Sequence, residues 1–355
     1  MILFGILAAS AAGGVSVAGY AAGGYSGARL TTIDKFAYPS DSRTTLGTGL
    51  NTASNTAAGM SNSGVAGYVA GGNTGSKVTT VDKFAFPSDS RTTLGTGLSS
   101  GRQYMGSFSN SAVAGYTAGG LEGSKVTTVD KFAFPSDSRT TLGTGLSTAR
   151  MYLAGLSNSG VAGYGAGGEI SGYQSTVDKF AFPSDSRTTL GTGLATARGL
   201  IGSISNSGVA GYVTGGYSNS SSRLNSVEKF AFPSDTRSTI SATVSSDRRN
   251  MTGFSNSGTA GYIAGGTNNS GSRVTTVDKF AFPAETRSTL GTGLATAKTV
   301  AAGFSDTGVA GYVAGGIGNR STVEKFSFTN DSRSSVAGGL SSSREGSAGF
   351  QNEAL

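Results

Sequence analysis

One unit is repeated seven times along the chain, and this periodicity limits the possible folds more than any other feature. An Ala-Gly-Tyr tripeptide recurs every 48 residues at first and every 50 residues later. A Gly-Gly pair, an Asp/Glu-Lys-Phe segment and a Pro-Ser-Asp-Ser-Arg-type turn follow each tripeptide. The seven tyrosines are Tyr20, Tyr68, Tyr116, Tyr164, Tyr212, Tyr262 and Tyr312. Such a period indicates a fold assembled from equivalent supersecondary units.

Each unit has the pattern of four short β-strands. In the unit around Tyr116 the sequence predicts strands over 108–110, 113–118, 126–134 and 139–142. Short apolar or alternating runs separated by Gly, Pro, Asn, Asp and Ser are typical of hairpins. No segment has the apolar period of an amphipathic helix.

Four strands in a unit of this length predict an all-β fold, a seven-bladed β-propeller with four antiparallel strands per blade. Residues 13–355 would form this single domain from seven repeats of 46–50 residues. The 58 glycines would suggest disorder in a chain without a period. In a propeller they allow the close backbone approach that the narrowing blades require.

The two ends of the repeat region complement each other. Residues 348–352 match the strand that opens other units, and residues 15–22 match the strand that follows it. We therefore predict that the N- and C-terminal strands pair in one blade and close the ring, which removes open sheet edges.

The apolar extension of residues 1–12 lies outside the repeat. Three interpretations compete: a signal peptide, a strand or plug on the propeller, and an anchor to a partner protein. The segment lacks the basic start of a signal peptide. It is too short to cross a bilayer, so we expect no transmembrane segment.

Composition excludes several kinds of chemistry. The chain contains no cysteine and no histidine. Disulfides, thiolate nucleophiles, Ser-His-Asp triads and the usual zinc or copper sites are therefore excluded. The Gly95-Thr96-Gly97 run and its equivalents lie in β-repeats without a following helix, so they are not phosphate loops. We expect no catalytic residues, no metal, no cofactor and no specific nucleic-acid partner.

The unit resembles the kelch repeat. The matching features in one unit are Gly119-Gly120, the aromatic Phe132 and the closing Arg150. The resemblance covers all seven units and implies a propeller. The sequence departs from the family at its tryptophan position, which holds Arg43, Arg91, Arg139, Arg187, Arg237, Arg287 and Arg333.

Variation among the seven units falls on one predicted face. The turns after the first and third strands are nearly invariant, whereas the second–third loops and the links between units vary. Variable loops on a constant scaffold indicate a binding surface. With a net charge of +7, an acidic partner such as a surface polysaccharide is favoured. The candidate ligand-binding residues are Arg29, Lys77, Tyr104, Lys125, Tyr152, Tyr173, Tyr217, Arg223, Arg273 and Arg320.

Other charged residues have a structural interpretation. Arg150 and its equivalents in the links either add to the charge of this face or cap carbonyls and pair with carboxylates. Adjacent residues of a strand point to opposite faces. We therefore expect the lysine of each Asp/Glu-Lys pair to meet the carboxylate of the corresponding pair in the next blade. The representative interblade residues are Asp82, Lys83, Asp130, Lys131, Asp178 and Lys179.

These observations predict a non-enzymatic binding or structural module that recognises a glycan or docks with neighbouring subunits of an assembly. Its Ser/Thr/Gly-rich, cysteine-free units resemble those of phage tail and bacterial appendage proteins, which implies an extracellular or virion surface. An intracellular protein-interaction scaffold is the first alternative, and a glycan-active enzyme is the second.

Overall fold

The computed structural model describes residues 16–318 and 320–353, and the strands in these ranges form seven antiparallel sheets. Six sheets have four strands each, and the seventh has four strands extended by three two-residue strands. The apolar extension of residues 1–12 lies outside the described residues, so its three interpretations stay predictions.

Each sheet has the hydrogen-bonded order inner, second, third and outer strand. The inner strands are β4 (Ala58–Asn62), β8 (Gly106–Asn110), β12 (Ala154–Asn158), β17 (Gly202–Asn206), β22 (Thr252–Asn256), β27 (Ala302–Asp306) and β31 (Ala348–Glu353). The second strands are β1 (Ser16–Ala22), β5 (Ala66–Ala70), β9 (Ala114–Ala118), β13 (Ala162–Ala166), β18 (Ala210–Ser218), β23 (Ala260–Ala264) and β28 (Ala310–Ala314).

The third and outer strands complete the sheets. The third strands are β2 (Ile33–Ala37), β6 (Val81–Ala85), β10 (Val129–Ala133), β14 (Val177–Ala181), β19 (Arg223–Ala231), β25 (Val277–Ala281) and β29 (Val323–Ser327). The outer strands are β3 (Ser42–Thr45), β7 (Ser90–Thr93), β11 (Ser138–Thr141), β15 (Ser186–Thr189), β20 (Thr236–Thr239), β26 (Thr286–Thr289) and β30 (Arg333–Ser335). The short strands are β16 (Arg198–Gly199), β21 (Arg248–Arg249) and β24 (Thr267–Asn268).

The inner strands contact one another in a closed cycle, in the order β31, β4, β8, β12, β17, β22, β27 and back to β31. The sheets are therefore arranged around a common axis as the blades of a propeller. The third strand of the unit around Tyr116 is shorter than predicted, because residues 126–128 belong to the loop that leads into β10.

The hydrophobic core lies between neighbouring blades. Phe132 and Phe134 of one blade pack with Met60 and Tyr68 of the preceding blade. Val129, on the opposite face of the same strand, packs towards the following blade. Apolar residues on both faces of the third strand were predicted from the alternation, and the packing confirms them.

The terminal strands pair as predicted. β31 lies antiparallel to β1, with Phe350 opposite Tyr20 and Ala348 opposite Ala22. The Tyr20 and Phe350 rings stack with their centroids 4.8 Å apart. The C-terminal strand thus supplies the inner strand of the sheet that begins with β1.

The lysines of the Asp/Glu-Lys pairs do bridge neighbouring blades, but the predicted carboxylate partner was wrong. Lys83 Nζ lies 2.6 Å from Asp137 Oδ2, in the third–outer turn of the next blade, and not at Asp130. Tyr68 donates a 2.7 Å hydrogen bond to the other oxygen of Asp137. The same pairing joins Lys35–Asp89, Lys131–Asp185, Lys179–Asp235, Lys229–Glu285, Lys279–Asp331 and Lys325–Asp41.

The strand carboxylates are unavailable to these lysines because the links occupy them. Asp178 accepts hydrogen bonds from the backbone and hydroxyl of Ser147 and an ion pair from Arg150. Asp130 pairs with Arg102 in the same way. In the first unit Ser54 stands at the arginine position, and Asp82 keeps, within the described residues, only the hydrogen bonds from the Asn51 backbone N–H and the Thr93 hydroxyl.

The link cations at the Arg150 position are therefore structural and do not contribute charge to the surface. The buried set is Arg102, Arg150, Arg198, Arg248, Lys298 and Arg344. Their carboxylate partners are Asp130, Asp178, Glu228, Asp278, Glu324 and Asp34. Of the two interpretations of these residues, the structure supports pairing and carbonyl capping, since Arg102 also donates to the carbonyl oxygens of Gly119 and Thr128.

Candidate ligand-binding face

The variable segments meet on one face of the propeller, which we call the variable face. Each link lies beside the second–third loop of the blade that follows it, as shown by the bridges Gln103–Leu121 and Met151–Glu169. Arg249 and Thr267 pair in the same manner through β21 and β24. The links and loops that differ among the units therefore share one surface.

A closed ring of backbone hydrogen bonds joins the links. Each link contributes one residue whose backbone N–H donates to the carbonyl oxygen of the corresponding residue in the preceding link, with N···O distances of 2.9–3.4 Å. The Thr56 N–H donates to the Gly346 carbonyl oxygen and so closes the cycle. The members of this link ring are Thr56, Tyr104, Tyr152, Leu200, Asn250, Val300 and Gly346. All seven have φ between 56° and 64°. The ring fixes the backbone at seven positions that hold six residue types, so no common residue type marks these positions in the sequence.

The four tyrosines predicted from the sequence come together in one group, the tyrosine cluster of Tyr104, Tyr152, Tyr173 and Tyr217. Met151 and Leu200 pack among them. The ring centroids of Tyr104 and Tyr152 are 4.7 Å apart, and those of Tyr173 and Tyr217 are 5.7 Å apart in an edge-on arrangement.

The members of the tyrosine cluster differ in exposure. Tyr152 is only 8% exposed, so it mainly supports the others, whereas Tyr104, Tyr173 and Tyr217 are partly exposed. Burial raises the pKa of Tyr104, Tyr152 and Tyr173. These phenols therefore stay neutral at physiological pH.

Five of the six predicted loop cations occupy equivalent positions in their units, and Arg320 lies one position later, at the place of Val274. The six differ in their partners. Lys125 pairs with Glu169 at 3.4 Å and also donates to the carbonyl of Ile170. Arg223 donates to the carbonyl oxygen of Asn269 in the next loop, at 3.1 Å. Within residues 16–318 and 320–353, no ion pair forms at Arg29, Lys77, Arg273 or Arg320.

Arginines concentrate in the loops of three consecutive blades. The Arg249 guanidinium lies 4.5 Å from the Tyr217 ring centroid, and that of Arg223 lies 5.7 Å from it. A Cβ at Gly318 would lie 3.5 Å from Arg320 Nε and 3.6 Å from Arg273 Nη2, so both side chains cover this glycine. We call Arg223, Arg249, Arg273 and Arg320 the arginine sector. Arg249 was not among the predicted ligand-binding residues, since it immediately follows the structural Arg248.

The opposite face carries a second concave surface. A cavity of about 1330 Å³ is lined by the Ser-Asn-Ser-Gly-type turns between inner and second strands. Exposed valines lie at equivalent positions on this face: Val17, Val65, Val113, Val161, Val209 and Val309. Of these, Val113 and Val209 line the cavity. This face is thus nearly uniform from blade to blade, in contrast to the variable face.

The sheets arranged around one axis define an all-β propeller with four-stranded antiparallel blades. Among solved structures, the one described as "Structure of YjhT" is similar to this chain, with a TM-score of 0.63 and 12% sequence identity. The match covers 79% of this chain and 97% of that chain. At this identity the likeness concerns the fold alone.

Two further comparisons gave no match: neither a protein-family model nor a curated protein corresponds to the chain. A β-propeller is consistent with a binding or scaffold module.

In the part of the chain that the structure describes, no helix is long and apolar enough to cross a membrane. The same part contains no group of three acidic residues suited to a metal ion.

Proposed function

We propose that the chain is a seven-bladed, kelch-like propeller acting as a non-enzymatic binding module whose variable face recognises a surface polysaccharide. The observation that carries this proposal is the tyrosine cluster with the Arg223 and Arg249 guanidiniums against its Tyr217 ring, on a backbone fixed by the link ring. Tyrosine offers a rigid ring with a polar tip, which suits contact with sugars. The binding surface would be displayed outside a cell or on a virus particle.

Two observations support the finer description of the fold. The cycle of inner strands and the link ring each have seven members, one for every repeat. The kelch-like features have the same role from unit to unit: Gly-Gly ends the apolar part of the second strand, and the link cation anchors to the third-strand carboxylate in six blades.

The proposal is tested by binding to an array of bacterial surface polysaccharides at low salt and at near-physiological salt. We expect binding that survives the higher salt and falls after the substitutions Tyr173→Ala and Tyr217→Ala. Val65→Ser on the opposite face is the control and should bind like the native protein. Binding only at low salt would show that the basic residues attract anionic polymers nonspecifically, and it would contradict the proposal.

A second candidate function, docking in an assembly, is favoured by the ring of exposed valines on the opposite face. Five of these valines are 45–51% exposed, and two of them, Val113 and Val209, line the same cavity. Sedimentation of the native protein against a Val113→Ser/Val161→Ser variant tests whether copies associate through this face. A native protein that stays monomeric at all concentrations would argue against self-association.

A further inference from the structure

The cations of the variable face are not distributed evenly around the ring. Four arginines lie in the loops of three consecutive blades, over 217–225, 267–274, 317–318 and 320–321, and in an intervening link. In the remaining loops, Arg29 and Lys77 each add a single cation. Lys125 is engaged by Glu169 and Ile170, and Tyr173 takes the place of the cation in its own loop. The positive charge available to a ligand therefore concentrates on one side of the axis.

Within this sector the arginines approach one another without a carboxylate between them. Arg223 and Arg249 both lie against the Tyr217 ring, and Arg273 and Arg320 both cover Gly318. Burial, together with the charge of Arg249, lowers the pKa of Arg223. Like charges held this close repel, and an anion placed between them would relieve the repulsion.

Of the neighbouring carboxylates, Glu345 interacts electrostatically with Arg273 but, among the residues that the structure describes, forms no ion pair with it. Asp247 accepts a hydrogen bond from the Asn269 amide, and Glu345 forms a bridge with Tyr25 through its backbone. Neither carboxylate lies within ion-pair distance of the four arginines in the described residues. The Nε–H groups of Arg223, Arg249 and Arg320 have no acceptor in the same part of the chain.

We infer that the arginine sector and the adjoining Tyr173–Tyr217 pair form a subsite for a polyanionic glycan. Arginine forks bind carboxylate, sulfate and phosphate oxygens in a bidentate manner. Tyr217 joins the two parts of the site, since its ring contacts Tyr173 on one side and carries the Arg249 guanidinium. A sugar ring at the tyrosines would place its acidic substituents at the arginines. This inference rests on the proposed function and names its ligand class.

The experiment compares polygalacturonate, dextran sulfate and neutral dextran as probes at near-physiological salt, using the full chain. We expect both anionic polymers to bind and dextran not to bind; the stronger of the two identifies carboxylate or sulfate as the preferred group. Equal binding of dextran would overturn the inference and leave the proposed function intact. If neither anionic polymer binds, the inference is also overturned. If in addition no glycan on the array binds, the proposed function is contradicted as well.

The repeat supplies a matched control for the position of the subsite. Arg273→Gln and Lys77→Gln each remove one cation at the same position of different units. Loss of charge-assisted hydrogen bonds should weaken binding roughly tenfold to a hundredfold for Arg273→Gln. Lys77→Gln should change it less than about twofold, because only screened attraction is lost. Equal losses in the two variants would mean diffuse attraction to the whole face and would overturn the subsite.

Discussion

Single residues set the distance between neighbouring blades, and Gly67 of β5 is a clear case. A Cβ at this position would lie 2.1 Å from Cδ2 of the Phe350 ring. Phe350 is itself held between Tyr20, Phe84 and Phe86, so it has little freedom to move aside. The absence of a side chain at position 67 is thus a packing requirement.

We expect Gly67→Ala to lower the free energy of unfolding by about 1–3 kcal/mol, the usual cost of overpacking a dense core. Urea denaturation followed by circular dichroism measures the change. Gly95→Ala is the matched control, because a Cβ there meets no atom within 4 Å. Equal stability of the two variants would show that the blades can separate to accommodate the methyl group.

The buried link pairs also act at the scale of single residues. Burial acts to raise the pKa of Asp178, but the charge of Arg150 and hydrogen bonds from Thr189 and Ser147 outweigh it and lower the pKa. Ionised Asp178 therefore stabilises the fold above its unfolded pKa near 4, and this contribution is lost as the pH falls through the folded pKa.

Arg150→Leu should reverse this dependence, because an unpaired buried carboxylate has a raised pKa. We expect a loss of about 3–5 kcal/mol at pH 7. The deficit relative to the native protein should shrink towards pH 4, where protonation removes the uncompensated charge. Urea titrations at several pH values measure it, with Arg150→Lys as the control that keeps the charge, as Lys298 does in its own unit. A deficit that does not change with pH would contradict the ionic explanation.

At the scale of elements, β31 completes the first sheet from the other end of the chain. Its Phe350 ring stacks on Tyr20 and packs beside Phe84 and Phe86. Removing the strand would expose this cluster and the hydrogen-bonding edge of β1.

Deletion of residues 350–355 should therefore cost much of the stability, and thermal melting would measure the loss. A synthetic peptide spanning residues 345–355, added in excess, should restore part of it, because it can supply the missing inner strand. A peptide with alanine in place of Phe350 is the control and should restore less. Unchanged melting of the truncated chain would mean that the terminal strand does not close the sheet.

The sequence predicts a structural feature well when residues in one short segment determine it, and poorly when contacts between distant segments determine it. The strands and the terminal pairing were predictable because alternation, turn residues and the unit motif are all written in short segments. The Lys83–Asp137 pair was not predicted, because its geometry depends on a left-handed turn residue in the next blade. The link ring gave no signal, since residues as different as Tyr104 and Val300 have the same backbone conformation. The tyrosines were predicted, but their clustering required the packing of several links and loops.

At the scale of the whole molecule, the two faces differ in how much their residues vary from blade to blade. The valine-bearing turns are nearly identical, whereas the loops of the variable face carry tyrosines in one region and arginines in another. A repeated scaffold can change such loops without altering the packing between blades. The asymmetry of the variable face is therefore the feature of the molecule that can distinguish one ligand from another.

The propeller should tolerate circular permutation, provided that the new chain ends still lie on two neighbouring strands of one sheet. Asn352 and Val17 correspond to Asn62 and Val65, the ends of the turn between β4 and β5. A Ser-Gly linker from Asn352 to Val17 would therefore rebuild a native-like turn. Opening the chain between Ser207 and Gly208 then separates β17 from β18 and leaves another sheet shared by both new ends.

We expect the free energy of unfolding of this circular permutant to lie within about 1 kcal/mol of that of the native protein, because only the position of the shared sheet has changed. A second permutant, opened between Gly143 and Thr144, keeps every sheet whole and has no strand pairing across its seam. It should be less stable, since only packing between blades and the hydrogen bonds of the links, without a shared sheet, would close its ring. Denaturant unfolding of both permutants measures the difference. If the two are equally stable, the pairing of terminal strands contributes nothing to closure beyond ordinary contact between blades.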